Sequence, residues 1–268
     1  MRLDVIDAAF SYDGANNVFE NISFSVEERS IMCLLGPNGA GKSTLIKCLN
    51  NLLPLNKGVV QIDGKDIRSF SRQELAKKIA YIPQSHVPTF PFSVLNVVLM
   101  GRTPHLGFLS VPGKKDMEIA EQVLYSLGIH HLREKRYTEI SGGERQLVLL
   151  AAVIAQNAAV LILDEPTSHL DFGNQIRLLE IINRLSRQGM MVIMSTHFPD
   201  HALLTASTVA IIKAGGIIKQ GVPETVITEE SIYQTYGVEV VIGPVNGDQN
   251  LITCVPRIRK NAPEFLQI

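Results

Sequence analysis

Two short stretches of this sequence set a lysine and a hydroxyl among glycines and two carboxylates at the end of an apolar run. The first, Gly36-Pro37-Asn38-Gly39-Ala40-Gly41-Lys42-Ser43, has the spacing G-x-x-x-x-G-K-[ST]. In that spacing the glycines let backbone N–H groups turn inward around phosphate oxygens, and the helix that follows adds the partial positive charge of its N-terminus. Lys42 then reaches the β- and γ-phosphates, and the Ser43 hydroxyl coordinates Mg²⁺. The second stretch, Val160-Leu161-Ile162-Leu163-Asp164-Glu165, is an apolar run that delivers two adjacent acids to its end. Asp164 can hold the shell of a Mg²⁺ ion, and Glu165 can polarise an attacking water as general base. A solvated Asp-Glu at a strand end is common, so the pair gains meaning only beside the phosphate loop.

A third stretch, Ile140-Ser141-Gly142-Gly143-Glu144-Arg145-Gln146, puts Ser141 three residues before Glu144. That is a capping box whose two glycines leave helix-terminal N–H groups open to an anion, although a capping box alone is a structural device. His197 follows an apolar run that ends at Ser195, and Tyr12 closes Phe10-Ser11-Tyr12. A histidine at a strand end often serves as a cap or core group, and a tyrosine in an early strand often only packs.

The elements that must carry these residues are legible from periodicity. Leu3, Val5, Val18, Ile22, Phe24 and Val26, with turn signals at Asp13-Gly14 and Asn16-Asn17, predict antiparallel strands. Residues 31–35 form a continuous apolar run stopped by Gly36-Pro37, a strand buried on both faces, and residues 42–49 follow as a helix. Residues 58–62 with Asp63-Gly64 predict a hairpin, and Ser71-Arg72-Gln73-Glu74 opens a short helix. Prolines at 88, 91, 104 and 112 and the periodic segment 117–127 indicate a helical insertion. Buried strands return at 160–163 and 190–195, separated by a helix over 175–187, and 209–212 pairs with 217–219 as a late hairpin.

Composition excludes other classes. The 268 residues carry 25 Lys+Arg against 26 Asp+Glu, which lacks the basic footprint of a dedicated nucleic-acid binder. Cys33, Cys48 and Cys254 are odd in number and widely spaced, so they read as small buried hydrophobes rather than disulfides or zinc ligands. His86, His105, His130, His131 and His201 show no ligand spacing and read as surface histidines. Asp4 and Asp7 interrupt the run a secretory leader would need, and no apolar stretch approaches the roughly 20 residues of a membrane helix. No Asn-Lys-x-Asp guanine-reading motif occurs, which weighs against a GTPase.

The order of these features resembles the ATP-binding-cassette (ABC) ATPase family. Its signature is usually written Leu-Ser-Gly-Gly-Gln, where this chain has Ile140 and Glu144 at the variable ends. The resemblance implies an α/β fold: a P-loop NTPase cassette with a RecA-like mixed sheet core, an antiparallel β subdomain and a helical subdomain. It implies one cassette over 1–245, with the core and β subdomain at 1–85 and 153–245, the helical subdomain and signature at 86–152, and a tail at 246–268. Tyr81-Ile82-Pro83-Gln84 matches the family's Q-loop, so Gln84 would touch Mg²⁺ and the attacking water. Ser168-His169-Leu170-Asp171 matches the D-loop, His197 the switch histidine on the γ-phosphate, and Tyr12 the aromatic that stacks on adenine. ATP would lie against residues 36–44, including Thr44, of one copy and against Ser141, Gly142, Gly143, Glu144 and Asp171 of a second.

Residues 92–107 and 168–175 resemble importer cassettes for iron-siderophore, haem and cobalamin. The resemblance therefore implies a homodimer on the cytoplasmic face of the inner membrane, peripheral, bound to two permease subunits and indirectly served by a solute-binding protein, with no nucleic acid. Importers of molybdate, zinc or manganese, and soluble members such as iron–sulfur assembly factors, remain the alternatives. The tail carries no motif.

Overall fold

The computed structural model describes residues 1–84, 90–107 and 110–257; His86 and residues 258–268 lie outside them. The chain opens with two long strands, β1 (Arg2–Ser11) and β2 (Asn17–Glu27), followed by β3 (Ile31–Leu35) and helix α1 (Lys42–Leu49). Next come β4 (Lys57–Ile62), β5 (Lys65–Asp66), α2 (Arg72–Ala76) and β6 (Ile79–Ile82). Three helices follow, α3 (Val94–Met100), α4 (Lys114–Ser126) and α5 (Gly142–Gln156). The chain then alternates through β7 (Val160–Leu163), α6 (Phe172–Arg187), β8 (Met191–Thr196), α7 (Pro199–Thr205), β9 (Thr208–Lys213) and β10 (Gly216–Gly221). It continues with α8 (Pro223–Val226), α9 (Glu229–Tyr236), β11 (Val240–Val245) and β12 (Asp248–Pro256).

The larger sheet has the order β10-β9-β3-β8-β7-β6, with its inner pairings parallel and β10 antiparallel at one edge. A smaller antiparallel sheet runs β2-β1-β4-β5. Strand β3 explains how the two layers close. All five of its residues are buried, with Ile31, Cys33 and Leu35 in the core on the helix side and Met32 and Leu34 in the core shared with the small sheet. A strand covered on both faces reads as a continuous apolar run, not as alternation. Strands β3 and β7, which lead into the phosphate loop and the paired acids, are not neighbours, because β8 lies between them. Carboxyl ends of parallel strands in such sheets open onto a common crevice, which is where three of the sequence motifs converge.

The helical stretch shares one apolar core with the larger sheet. Val94 and Val98 are fully buried and Val97 nearly so, whereas Phe90 and Phe92 are 63% and 44% exposed. All three cysteines are buried and free. Among the histidines, His105 and His131 are exposed, His130 is half-buried against Glu121, and His201 is buried, which corrects its reading as a surface residue.

The segment beyond residue 245, taken from sequence as a tail without a motif, contains β12, paired antiparallel with β11 from Val240–Pro256 to Val245–Asp248. A two-residue Asn246-Gly247 loop joins them, both residues at positive φ (51° and 80°). Asn-Gly is the strongest short hairpin signal a sequence offers, and it was available at this position.

Candidate nucleotide-binding site

The site is built where β3, β6, β7 and β8 end. Residues between β3 and α1 form the phosphate loop, and two of its glycines have specific causes. A Cβ on Gly36 would lie 2.2 Å from the Ile212 carbonyl oxygen on β9, and Gly41 caps α1 at φ 94°, a conformation that favours glycine. Lys42 is only 4% exposed, and its ammonium donates to the carbonyls of Gly36 at 2.7 Å and Pro37 at 3.0 Å. Its ammonium also forms an ion pair with Glu165 Oε1 at 3.4 Å.

Glu165 is a hub. Besides Lys42, its carboxylate accepts from Gln84 Nε2 at 3.2 Å, and His197 Nδ1 stands 3.2 Å from Oε2, within ion-pair range but off hydrogen-bond alignment. Its backbone sits at φ 45°, an uncommon left-handed conformation for a residue with a side chain. The Ser195 hydroxyl accepts from the Glu165 N–H at 2.9 Å and donates to Asp164 Oδ1 at 2.7 Å. Asp164 Oδ1 also accepts from Ser43 Oγ at 3.0 Å. Ser195 is wholly buried, and sequence reading passed over it. Its role depends on register: Leu163 pairs with Met194, which sets Asp164 beside Ser195.

A cavity of about 310 Å³ opens in front of this cluster, lined by Asn38, Gly39, Gly41, Lys42, Ser43, Thr44, Gln84 and Glu165, with Val18 at its edge. Tyr12 is 66% exposed, its ring edge-on to Phe10 at 4.8 Å and its hydroxyl 3.3 Å from Thr44 Oγ1. An apolar face is thereby held open beside the phosphate loop. Ala40 is buried and serves packing. Tyr81 lies behind the acids; burial, then the Asp164 charge, pushes its phenol up to about 12, so it stays neutral. Burial likewise pushes the Cys33 thiol to about 12 against the opposing Lys42 charge, leaving it unreactive.

Ser141, Gly142, Gly143, Glu144 and Asp171 do not line this cavity. Ser141 caps α5: its hydroxyl accepts from the Glu144 N–H at 3.3 Å, and Glu144 accepts from the Ser141 N–H at 2.8 Å, which also lowers the carboxyl's pKa. Asp171 caps α6 by accepting from Asn174 N at 2.8 Å. Among the described residues, leaving aside its chain neighbours and its own helix backbone, no atom lies within 4 Å of a Cβ built on exposed Gly142, whereas one on Gly143 would meet Asn174 at 2.7 Å.

The chemistry of the donors at Ser43 and Asp164, one hydroxyl and one carboxylate, fits a hard cation that completes its shell with water and phosphate oxygens. Among the described residues no group of three or more His, Cys, Asp or Glu side chains could hold a metal by itself. No helix of the described residues is long and apolar enough to cross a membrane.

Comparison with known proteins agrees with this architecture. Residues 19–168 match the family model described as ABC transporter. The chain is 43% identical over 236 residues to an uncharacterized ABC transporter ATP-binding protein of Haemophilus influenzae, covering 88% of this chain and 89% of that one. It is 34% identical over 237 residues to the ferric enterobactin transport ATP-binding protein of Escherichia coli, covering 87% and 88%. Among solved structures, a metal-chelate type ABC transporter in an inward-facing conformation superposes with a TM-score of 0.84 at 29% identity, over 96% of this chain and 97% of that one. With the family model matching residues 19–168 and the fold shared with a solved transporter along nearly its whole length, the chain belongs to the ABC transporter family, as its ATP-binding, ATP-hydrolysing subunit.

Proposed function

We propose that this chain is the ATP-driven motor of an importer that takes up a metal chelate, an iron siderophore, haem or cobalamin. The observation that carries the reading is the likeness to the metal-chelate type transporter along nearly the whole of both chains. The ferric enterobactin relative supports the same substrate class. In this reading two copies work as a homodimer at the cytoplasmic face of the membrane, peripheral to two permease subunits and indirectly to a solute-binding protein.

The geometry supports the following residue roles. Lys42, released from Glu165, binds the β- and γ-phosphates, while backbone N–H groups of residues 36–44 turn toward them. Tyr12 stacks on adenine. Ser43, Asp164 and Gln84 would hold Mg²⁺, which when bound neutralises charge on the phosphates. Glu165 takes the proton of an attacking water, with Gln84 and His197 fixing the carboxylate from the other side. Ser141, Gly142, Gly143 and Glu144 of a second copy close over the γ-phosphate, and Asp171 sits at the junction. The open space at Gly142 supports an approach from outside the chain.

Residues 86–152 act as a helical arm that carries the signature, between core segments 1–85 and 153–245. A groove of about 560 Å³ lined by residues including Leu52, Phe70, Leu75 and Tyr81 supports docking of a permease segment, since Tyr81 lies on β6, which leads into Gln84 two residues beyond its end. Vesicles carrying the chain with its permease test the assignment. They should accumulate a ferric siderophore, haem or cobalamin only with ATP; uptake confined to molybdate, zinc or manganese, or no association with a permease, contradicts it.

A further inference from the structure

Two buried threonines from different strand ends face one buried imidazole. Thr167, two residues beyond Glu165, and Thr196, immediately before His197, are each 3% exposed, and His201 is 7% exposed. His201 Nδ1 lies 3.3 Å from Thr167 Oγ1 and 3.4 Å from Thr196 Oγ1. Thr196 Oγ1 accepts from the Phe198 N–H at 3.1 Å, which leaves its own proton free to point at the imidazole. Burial lowers the His201 pKa, so the ring is neutral near pH 7 and its nitrogen can take that proton. In either tautomer the same ring nitrogen joins the two hydroxyls.

The imidazole is held from both sides. Phe198 packs between the two histidines, 4.1 Å from the His197 ring and 4.9 Å from that of His201. The preceding residue of α7, Asp200, accepts at Oδ1 from the Cys254 N–H at 2.8 Å and from Thr253 Oγ1 at 3.0 Å, both on β12. The C-terminal hairpin therefore anchors the helix that carries His201. On the opposite side, Thr167 belongs to a tight turn in which Ser168 N and Oγ both donate to the Glu165 carbonyl, at 3.0 and 2.7 Å.

We propose that His201 is a positioning residue for ATP hydrolysis, tying the turn that follows Glu165 to the loop that carries His197, so that both groups flanking the attacking water keep one geometry. The inference rests on the roles proposed above for Glu165 and His197. A link of this kind leaves ground-state binding alone and acts on the chemical step, so it lowers kcat without raising KM. It also gives the C-terminal hairpin a task, as the buttress of α7.

Steady-state ATPase of the full chain, with Mg²⁺ and varied ATP, tests the link through four variants. His201→Phe keeps a ring without the nitrogen, His201→Asn keeps a polar atom near the Nδ1 position, and Thr167→Val keeps shape without the hydroxyl. His201→Phe and Thr167→Val should each lower kcat about tenfold with KM changed less than about twofold. The double variant should be no slower than either, because both remove one interaction. His201→Asn should keep at least about half the wild-type kcat. Wild-type turnover in Thr167→Val, or equal losses in His201→Phe and His201→Asn, overturns the proposal; Thr167→Val decides if His201→Phe fails to fold. A wild-type chain unable to hydrolyse ATP overturns the site reading itself, an outcome distinct from an active wild type matched by an active Thr167→Val.

Discussion

Lys42 Nζ stands 3.4 Å from Glu165 Oε1 with both side chains buried, so the lysine proposed to bind phosphate and the proposed general base neutralise one another. Pairing is what makes either charge tolerable away from water. Lys42→Met strands the carboxylate and should lower stability by about 3 kcal/mol, read as a shift in denaturant midpoint. Adding Glu165→Gln to the same chain should recover part of that loss, since no charge is then left unpaired; equal midpoints for the single and double variants count against the pairing.

Ser195 holds both acids at once, through the Asp164 carboxylate and the Glu165 N–H. Ser195→Ala leaves a buried N–H without its acceptor, a cost of about 1–3 kcal/mol in stability. Hydrolysis should fall about tenfold or more while equilibrium binding of ATP stays within about threefold, as expected for a group that positions and does not bind. Unchanged turnover would remove Ser195 from the account.

Tyr12 offers an exposed ring face beside Thr44. Tyr12→Ala should weaken ATP binding about tenfold and Tyr12→Phe by less than about threefold, because stacking needs the ring and not the hydroxyl. Calorimetric titration with ATP distinguishes them, and equal affinities for wild type and Tyr12→Ala would exclude adenine stacking there.

The buried His201 predicts a specific pH response. Burial holds its pKa below the ordinary 6.5 in the folded chain, with Asp200 opposing and His197 adding to the effect. As pH falls through 6.5 the unfolded chain binds this proton before the folded one does, so stability is full above that point and declines below it. Denaturant midpoints measured on the acid side should therefore drop further in wild type than in His201→Asn. A parallel decline in both would place the acid sensitivity elsewhere.

What was legible in the sequence follows from covalent spacing. Lys42 and Ser43 sit a fixed distance along one turn from Gly36, and Asp164 and Glu165 end one apolar strand, so their convergence needed only the fold class. Ser195 and His201 were not legible, because a serine in an apolar strand and a histidine four residues past another acquire meaning only from neighbours on other elements. The register of β7 against β8 brings Ser195 to Asp164, and the packing of α7 brings His201 to Thr167. The helix over residues 172–187 was read as starting at 175, since exposed Phe172 gives no amphipathic signal and the start is set by the Asp171 cap. Strand β12 escaped for a different reason: its Asn246-Gly247 turn was present, but pairing only with β11 leaves its alternate residues half-exposed.

Gly142 separates a one-chain site from a shared one. A Cβ there meets no described residue beyond its own helix turn, so Gly142→Asp should leave the thermal midpoint and the ATP affinity of the single chain unchanged. If a second copy supplies the signature, the same variant should abolish ATP-driven pairing, because a carboxylate would oppose the γ-phosphate. Pairing at the wild-type level would show that the signature does not face nucleotide.

Sedimentation of Glu165→Gln with Mg²⁺ and saturating ATP asks whether two copies close on ATP with Glu165 as the base. Glu165→Gln should form a stable dimer with ATP that disperses with ADP, and should turn over at least about a hundredfold more slowly than wild type. A Glu165→Gln chain that remains monomeric at saturating ATP, or hydrolyses ATP near the wild-type rate, would contradict this reading.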